Sequence, residues 1–311
     1  MRIALTGAGG QLGVDLSRTL PSVGELVALD HSELDVTSPT AVRDVLGSIR
    51  PDVVVNAAAY TDVERAEDDQ ATCRLVNETA PALLAEYCRR HGALLVHYST
   101  DYVFDGEASE PYRETHPTAP LNVYGRTKRD GELAIAALAG SHLIFRSSWL
   151  YSGHGRNFVR TMLRLARERR ELTVVDDQVG CPTATPSIAR ATAVVLAKLS
   201  PDGLPGDGTS ADWSGIYHLC AKGETSWYQL ALAALEEDPQ RHEHVCERVT
   251  PVSSESYAPR ARRPRYSALD PEKVATTFGV SLDPWRTELS RLMAAGAFAH
   301  GQAVARGPTG Q

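Results

Sequence analysis

Short apolar runs alternate with helical patterns through the first half of the chain. The apolar runs lie at about residues 1–6, 25–30, 51–59, 93–100 and 142–148. Between them, apolar positions recur with helical spacing at about 14–20, 39–49, 79–91 and 123–139. Apolar strands separated by helices are typical of a parallel sheet with helices on both faces. The pattern therefore predicts an α/β fold built on a doubly wound parallel sheet.

The regular alternation of strands and helices changes after Trp149. Helical patterns near 156–169, 187–199 and 224–238 alternate with extended segments near 172–175, 215–220 and 247–252, and two short helices are predicted near 271–278 and 283–296. The stretch 200–214 is rich in Pro, Gly, Ser and Asp, which predicts a surface loop. The Gly-rich, polar end at 299–311 predicts a disordered tail.

A glycine-rich turn follows the first predicted strand and opens the first predicted helix. Gly7, Gly10 and Gly13 lie in this turn. Glycine permits a tight turn and close approach to a pyrophosphate, and a helix N-terminus favours anions. In this context the motif predicts a dinucleotide site. Asp30 ends the second strand, where an acidic side chain can bind the adenosine ribose.

These elements predict how the chain is divided. A length of 311 residues allows one large domain or two small ones. Residues 1–150 are predicted to form a Rossmann-like dinucleotide-binding domain, which the chain rejoins at about 187–221. Residues 151–186 and 222–298 are predicted to form a smaller α/β C-terminal portion that binds substrate.

Tyr124 and Lys128 stand four residues apart, so a helix places them on one face about one turn apart. A nearby cation favours the ionised form of a phenol, and such a pair can move a proton to or from a carbonyl oxygen. By itself the spacing is weak, because such pairs are usually surface neighbours. Thr100 ends a predicted strand on the rim where open sheets bind ligands, although capping of the strand end would also explain it.

Composition excludes several classes of protein. The net charge of −7 argues against general nucleic-acid binding. No apolar stretch approaches the roughly 18 residues that span a membrane. The five cysteines are scattered without metal-ligand spacing, which favours a reducing cytoplasm. We therefore expect a cytoplasmic protein without a membrane or nucleic-acid partner, either a monomer or a homodimer.

Together, the glycine loop, Thr100, Tyr124 and Lys128 resemble the extended short-chain dehydrogenase/reductases. Longer strings are similar to the dTDP-4-dehydrorhamnose reductase family, and the similarity runs from residue 1 to about 295. These strings lie at 56–67, 97–106, 120–128, 145–151, 157–166 and 176–183. They make the resemblance far more specific than the glycine loop alone.

The resemblance implies an enzyme that reduces the C4 ketone of a dTDP-4-keto-6-deoxyhexose with NADH or NADPH. Tyr124 is then the general acid, Lys128 holds the nicotinamide ribose and lowers the pKa of Tyr124, and Thr100 steadies the carbonyl oxygen. The residues implied to line the cofactor are Gly7, Gly10, Gln11, Leu12, Gly13, Asp30, Ala57, Ala58, Ala59, Tyr124 and Lys128. Those implied to surround the sugar nucleotide are Thr61, Val63, Thr100, Asp101, Tyr102 and Trp149.

Two features near the implied substrate site carry alternative interpretations. Trp149 follows a strand end, where an indole can pack on a sugar face, but it could equally be a core aromatic. Arg262 and Arg263 belong to a basic patch at 260–265. They are predicted to bind the substrate diphosphate, because guanidinium matches phosphate geometry; a solvated loop is the other interpretation.

The end of the second strand predicts the cofactor preference. Asp30 would accept hydrogen bonds from the ribose hydroxyls of NADH and repel the 2′-phosphate of NADPH. No Arg or Lys lies between Arg18 and Arg43 to offset this repulsion. His31 and Ser32 could still contact a 2′-phosphate. The sequence therefore predicts use of both cofactors, with NADH slightly preferred.

The chain departs from the family at a few positions. Tyr266-Ser267 replaces an Asn-Ser pair, which leaves substrate contacts there open. Asp15 could match a carboxylate that binds a divalent metal in some members, but Pro186 replaces another, so no metal is predicted. Cys181 is unusual within its loop, but a lone cysteine without an identified activating neighbour is most often a small hydrophobe.

Two other functions are compatible with parts of the sequence. A sugar-nucleotide dehydratase or epimerase of the same superfamily would need a further acid or base. Dehydratases of this group have an Asp-Glu pair after the Thr, where this chain has Asp101-Tyr102, and no cysteine lies between Cys88 and Cys181. A non-catalytic regulatory subunit resembling the beta subunit of methionine adenosyltransferase is the other alternative. The intact Thr100, Tyr124 and Lys128 argue against it.

Overall fold

The computed structural model describes residues 1–138, 140–199, 213–257 and 259–299. Most of the predicted loop at 200–214 and almost all of the predicted tail at 299–311 lie outside the described residues. The strands are β1 (Arg2–Thr6), β2 (Glu25–Leu29), β3 (Val53–Asn56), β4 (Leu94–Thr100), β5 (His142–Ser147), β6 (Leu150–Tyr151), β7 (Glu171–Val175), β8 (Val179–Gly180), β9 (Thr183–Ala184), β10 (Gly215–His218), β11 (Thr225–Ser226) and β12 (Arg248–Val252). The helices are α1 (Gln11–Thr19), α2 (Pro39–Ile49), α3 (Val63–Ala66), α4 (Gln70–Arg74), α5 (Ala80–His91), α6 (Val123–Leu138), α7 (Phe158–Glu168), α8 (Thr185–Leu199), α9 (Trp227–Glu237), α10 (Glu272–Phe278) and α11 (Trp285–Ala294).

The central sheet has six strands in the order β10-β5-β4-β3-β1-β2, and every neighbouring pair is parallel. The predicted α/β fold with a doubly wound parallel sheet is confirmed. The chain builds outward in one direction through β2 and in the other through β3, β4 and β5. Such a switch point opens a crevice at the carboxyl ends of the strands, where α/β proteins bind ligands.

Helices cover both faces of this sheet. On one face, Leu16 of α1 and Ile188 of α8 pack with Leu5 and Val55 in one apolar cluster. On the other face, helices α2, α5 and α6 contribute Val42, Leu84 and Ile135 to a second cluster. Because both faces are covered, the strands are apolar along their length and need no polar alternation. Burial of this apolar surface stabilises the scaffold that carries the strand ends.

The later part of the chain adds three small two-stranded sheets, in which β11 pairs with β8, β12 with β7 and β6 with β9. Helices α7, α9 and α11 pack together through Leu163, Leu230 and Leu289. The boundaries of the two portions remain a prediction, since β10 of the later part pairs with β5 in the central sheet. Among the helices described, none combines the length and apolar character needed to cross a bilayer.

One segment differs from the sequence pattern. The third apolar run was expected to stay extended to residue 59, but β3 ends at Asn56. The Asn56 side chain accepts a hydrogen bond from the Ala58 N–H at 3.1 Å, and this local bond competes with continued strand pairing. Residues 57–61 therefore leave the sheet and form a wall of the crevice.

Candidate active site

A cavity of about 440 Å³ lies at the carboxyl ends of the central strands. Loops after β1, β3, β4 and β5 form its walls, and α6 forms its floor. The structure brings together here most of the residues that the sequence singled out. The lining residues are Gly10, Gln11, Leu12, Ala57, Ala58, Ala59, Thr61, Val63, Tyr98, Ser99, Thr100, Asp101, Tyr102, Tyr124, Lys128, Ser147, Trp149, Leu150, Arg156 and Trp227.

The glycine loop is shaped by close backbone contacts. Gly7 has a φ of +71°, and a Cβ there would lie 2.5 Å from the Ala58 nitrogen. A Cβ on Gly13 would lie 2.1 Å from the Gly7 carbonyl oxygen, so the helix packs directly on the turn. Gly10 caps α1 without a side-chain hydrogen bond. The first N–H groups of α1 therefore remain available to an anion beside the cavity, and the loop fits a dinucleotide pyrophosphate.

Asp30 lies beside this loop, just after β2, although it does not line the cavity. Its Oδ1 accepts hydrogen bonds from the Ser32 nitrogen at 2.8 Å and the Ser32 hydroxyl at 2.6 Å. These bonds lower the pKa of the exposed Asp30 carboxyl below its usual range. The nearest neighbour of a Cβ built on Gly9 is the Asp30 Cβ, at 4.0 Å. A negative charge is thus fixed at the edge of the glycine loop.

Thr100 and Tyr124 meet inside the cavity. Thr100 is the last residue of β4, and Tyr124 lies in the first turn of α6. Burial raises the pKa of the Tyr124 phenol above its usual range, and a hydrogen bond with the Thr100 side chain only partly opposes that effect. The phenol is therefore protonated at neutral pH. A hydroxyl and a proton-bearing phenol can act together on one carbonyl oxygen.

Lys128 is buried below Tyr124, with only 1% of its surface exposed. Its Nζ donates a hydrogen bond to the Tyr98 carbonyl oxygen at 2.6 Å and lies 3.1 Å from His97 Nε2. Burial lowers the pKa of Lys128 to about 8. The expected lowering of the Tyr124 pKa by Lys128 is not found, because the effect of burial on the phenol is larger.

Asp101 is a buried carboxyl group at the end of the same strand. Burial raises its pKa to about 6, although hydrogen bonds with Ser267, Thr100 and Ser148 oppose the shift. Thr100 Oγ1 donates to Asp101 Oδ1 at 3.0 Å, and Ser148 Oγ donates to Oδ2 at 3.1 Å. Asp101 therefore orients the Thr100 hydroxyl. Ser267 hydrogen-bonds this carboxyl group and lowers its pKa. It belongs to the Tyr266-Ser267 pair in which the chain departs from the family.

Tyr102 and the stacked pair of Trp149 and Trp227 form the outer part of the cavity. Tyr102 contacts the Tyr124 ring edge-on, with centroids 5.8 Å apart. Trp149 stacks on Trp227, with centroids 3.5 Å apart and an angle of 5° between the planes. Trp149 has a φ of +48°, which is rare for a bulky residue and marks local strain. Gly180 leaves room for the stack, since a Cβ there would lie 2.5 Å from Trp149 Cε2.

Comparisons with a family model and with known proteins indicate the same family for this chain. The sequence matches the family described as RmlD substrate binding domain over residues 1–297. The chain belongs to this family. A dTDP-4-dehydrorhamnose reductase from Burkholderia thailandensis is 44% identical over 92% of this chain and 96% of its own length. A probable dTDP-4,6-dihydroxy-2-methyloxan-3-one 4-ketoreductase from Streptomyces antibioticus is 43% identical over 93% of each chain.

A solved structure shows the same architecture. The dTDP-4-dehydrorhamnose reductase from Bacillus anthracis, in complex with NADP, has a TM-score of 0.85 and 33% identity. The match covers 94% of this chain and 99% of that chain. The resemblance inferred from the sequence is confirmed.

Six residues that line this RmlD-family cavity were missed by sequence reasoning: Tyr98, Ser99, Ser147, Leu150, Arg156 and Trp227. Trp227 begins α9, almost 80 positions after its stacking partner, so only the folded chain brings the two rings together. Arg156 lies at the cavity mouth directly before the quoted string at 157–166. Its neighbour Gly155 lies close to Gln11 of the glycine loop, since a Cβ on Gly155 would be 3.7 Å from the Gln11 side chain. The arginine that directly follows the Gly153-His154-Gly155 stretch was the available signal.

Arg262 and Arg263 are not on the wall around Tyr124. They line a second cavity, of about 480 Å³, together with Asp105, Gln178 and other residues. Arg263 Nη2 donates to Glu64 Oε1 at 3.0 Å, and this pair is partly exposed. Glu64 follows Val63, which does line the first cavity. The basic patch therefore lies next to the candidate active site, and its assignment to substrate remains a prediction.

Asp15 is engaged within the protein. Its Oδ2 accepts a hydrogen bond from the Thr185 hydroxyl and lies 3.1 Å from His154 Nε2. Within the described ranges, no group of three or more His, Cys, Asp or Glu side chains is arranged to hold a metal ion. Cys181 is buried, and its thiol lies near the Leu269 carbonyl oxygen.

Proposed function

We propose that the protein reduces the C4 ketone of a dTDP-4-keto-6-deoxyhexose with a reduced nicotinamide cofactor. The observation that carries this proposal is the meeting of Thr100 and protonated Tyr124 in a cavity that also opens onto the glycine loop. A cofactor lying along that loop and a ketone beside the two hydroxyls would share one space. The names of the relatives support the same substrate class.

The chemistry divides between cofactor and protein. When bound, the cofactor supplies the hydride for C4 of the sugar. Tyr124 gives its phenolic proton to the ketone oxygen as negative charge develops there. The Thr100 hydroxyl turns from Asp101 to the same oxygen and stabilises that charge. We assign to Lys128, one helical turn after Tyr124, the role of holding the nicotinamide ribose.

The outer cavity is suited to the remaining parts of the two ligands. We assign the sugar to the surface formed by Thr61, Val63, Tyr102 and Trp149, which all line the cavity. The Trp149–Trp227 stack offers an apolar surface that a sugar ring can cover. Arg262 and Arg263 are proposed to bind the substrate diphosphate from the adjoining cavity, whereas Arg156, beside the glycine loop, is proposed to face the cofactor pyrophosphate.

We propose that both nicotinamide cofactors are used and that NADH is slightly preferred. The fixed carboxylate of Asp30 supports this proposal, since it would repel a 2′-phosphate. The Bacillus anthracis relative was crystallised with NADP, and for this reason NADPH is included in the proposal.

The preference can be tested with a matched pair of variants. Asp30→Asn should shift the ratio of kcat/KM values toward NADPH, because the repelling charge is lost. Asp35→Asn is the control, since Asp35 makes the same two hydrogen bonds to Thr37 that Asp30 makes to Ser32. A wild-type preference for NADPH above about tenfold, which is about 1.4 kcal/mol, would overturn the assignment.

The alternative activities have less support from the site. A dehydratase would need a second carboxylate after Asp101, and the cavity instead contains the phenol of Tyr102. The described lining includes no cysteine that could serve as the extra acid of an epimerase. A purely regulatory role would leave the Thr100–Tyr124 arrangement without a use. Tightly held, non-exchanging NAD would favour the epimerase or dehydratase.

The identity of the sugar is a separate question. The two quoted relatives are 44% and 43% identical, yet they are named for different sugars. A panel of dTDP-4-keto-6-deoxyhexoses, before and after 3,5-epimerisation, should therefore be offered with NADH and with NADPH. We expect cofactor oxidation with at least one member of the panel. No oxidation with any of them would refute the proposed function.

We also propose a cellular compartment and an oligomeric state for the enzyme. All five cysteines are free thiols in the structure, which favours a reducing compartment such as the cytoplasm. We propose a monomer or a homodimer, which light scattering across a range of protein concentrations will distinguish.

A further inference from the structure

The loop at residues 152–157, between β6 and α7, is tied to the first helix at two points. His154 Nε2 lies 3.1 Å from Oδ2 of Asp15 in α1. Asn157 Nδ2 lies 3.1 Å from Oε1 of Gln11, the first residue of α1. Gln11 lines the candidate active site next to Gly10, whereas Asn157 does not line it. The second tie therefore reaches the cavity wall from outside the cavity.

The orientation of the Asn157 amide is fixed by its backbone neighbours. Asn157 is the N-cap of α7, and its Oδ1 lies 3.1 Å from the Arg160 nitrogen. A backbone N–H can only donate, so the amide oxygen must face it. On the other side, the Ser152 and His154 carbonyl oxygens lie 2.8 and 3.3 Å from Nδ2. A carbonyl oxygen can only accept, so both contacts require the NH₂ group on that side.

This orientation determines how the Gln11 amide is turned. An amide nitrogen donates hydrogen bonds and does not accept them. The Gln11 atom that lies 3.1 Å from Asn157 Nδ2 must therefore be the amide oxygen. The oxygen of Gln11 is thus engaged by the loop. Its NH₂ group is left as the donor that Gln11 offers to a ligand in the cavity.

We infer that Asn157 is a positioning residue that holds the Gln11 amide with its NH₂ group toward the cofactor pyrophosphate. A glutamine amide otherwise turns over easily, because its terminal torsion is broad and roughly two-fold. Turned over, Gln11 would present an oxygen to the phosphate oxygens. Held as it is, its NH₂ group adds a donor to the first N–H groups of α1, which favour an anion in the same place. This inference rests on the proposed use of a nicotinamide cofactor.

The loop that carries Asn157 is itself held in place. Ser152 Oγ donates a hydrogen bond to the His154 carbonyl oxygen at 2.7 Å. Arg160 Nη1 donates to the Gly153 carbonyl oxygen at 2.6 Å, which ties the loop back to α7. A side chain mounted on such a loop can fix the orientation of its neighbour. Asn157 thus acts through Gln11, without touching the cofactor.

The test measures cofactor binding and needs no sugar substrate. Asn157→Ser keeps a side chain that caps a helix but is too short to reach Gln11. We expect the Kd for NADH, from fluorescence titration, to rise by about 2–13-fold, the equivalent of one ordinary hydrogen bond. Gln11→Met removes the donor itself and should raise the Kd by about tenfold or more, because hydrogen bonds to charged groups are stronger. NADPH carries the same pyrophosphate and should show the same factors.

A double variant separates an action through Gln11 from a general loosening of the loop. In the Gln11→Met background, Asn157→Ser should have no further effect on the Kd, since the amide that Asn157 holds is gone. Ser152→Ala is the matched control, because it removes a hydrogen bond inside the same loop and leaves the Asn157–Gln11 contact. Its effect should be the same in both backgrounds. Thermal unfolding of each variant checks that folding survives.

The possible failures can be told apart. An unchanged Kd in Asn157→Ser, or additive effects of Asn157→Ser and Gln11→Met, would overturn this inference and leave the proposed function standing. A wild-type protein that binds neither NADH nor NADPH would overturn both. None of these readouts depends on turnover, so the expected cycle of Kd values supports the role of Asn157 even if no dTDP-sugar is reduced.

Discussion

The inner wall of the cavity and its outer rim are built differently. The inner wall consists of Thr100 and Lys128, which are 5% and 1% exposed, and of Tyr124, all carried by one strand and one helix. The rim consists of Trp149, Trp227 and Arg156, which come from loops and helix ends far apart in the chain, and Arg262 and Arg263 line the adjoining cavity. The difference indicates that reactive groups are held by rigid packed elements, whereas the groups that recognise ligands lie on segments free to vary.

Removing the proton donor of the inner wall should produce the largest loss of activity. The loss should appear in turnover and not in ligand affinity. Tyr124→Phe keeps the ring, so we expect folding and cofactor affinity to survive. Turnover should fall by about 10²–10⁴-fold, the usual contribution of general acid catalysis. Tyr102→Phe is the matched control, because it removes a phenol from a ring only 5.8 Å away. Steady-state kinetics with near-normal turnover in Tyr124→Phe would remove this residue from the mechanism.

Asp101, which hydrogen-bonds Thr100 of the inner wall, should lower the free energy of unfolding at neutral pH because its buried carboxyl group is then ionised. Its pKa is raised from 3.8 to about 6, so the unfolded chain releases this proton at lower pH than the folded protein does. The stability that depends on this group is therefore complete below pH 4 and is lost as pH rises through 6. A shift of about two units corresponds to at most about 3 kcal/mol.

Asp101→Asn should accordingly raise the free energy of unfolding at pH 7.5 and change it little at pH 4. Chemical denaturation at the two pH values measures the difference. Ser148→Ala is a useful comparison, because it removes one hydrogen bond to the carboxyl group and keeps its charge. A variant that is less stable at pH 7.5 than at pH 4, relative to wild type, would contradict the assigned pKa direction.

Arginine variants should change the KM values of the two ligands separately. Replacing both Arg262 and Arg263 by Ala should raise KM for the sugar nucleotide, whereas Arg156→Ala should raise KM for the nicotinamide cofactor. Losing charge-assisted hydrogen bonds to phosphate costs roughly 1.5–3 kcal/mol, or about 10–150-fold. If the sugar-nucleotide KM does not change in the double variant, the patch at 260–265 is a solvated loop.

The smallest effect is expected at the stacked tryptophans. Trp227→Leu removes the ring that holds Trp149, and stacking of this kind is worth about 0.5–1.5 kcal/mol beyond burial. KM for the sugar nucleotide should rise by about 2–13-fold with little change in turnover, while Trp227→Phe should retain most of the affinity. If turnover falls by a larger factor than affinity, the stacked tryptophans also contribute to catalysis, and the division between a recognising rim and a reactive inner wall is wrong.

The same contrast explains what the sequence could predict. The glycine loop, Thr100, Tyr124 and Lys128 lie in short contiguous strings on regular elements, so strand ends and helical spacing were enough to bring them to one edge of the sheet. Trp227 and the position of Arg262 depend on how distant segments pack, which no local pattern encodes. The raised pKa of Tyr124 was also beyond the sequence, because burial and not the nearby Lys128 decides it.

Direct transfer of hydride to C4 is the central claim, and a labelled cofactor tests it most directly. The protein should be incubated with NADH carrying deuterium at the transferable C4 position and with a dTDP-4-keto-6-deoxyhexose, and the product examined by NMR. We predict one deuterium at C4 of the sugar and one equivalent of oxidised cofactor for each product formed. A sugar changed without deuterium at C4, or without net oxidation of the cofactor, would contradict the account.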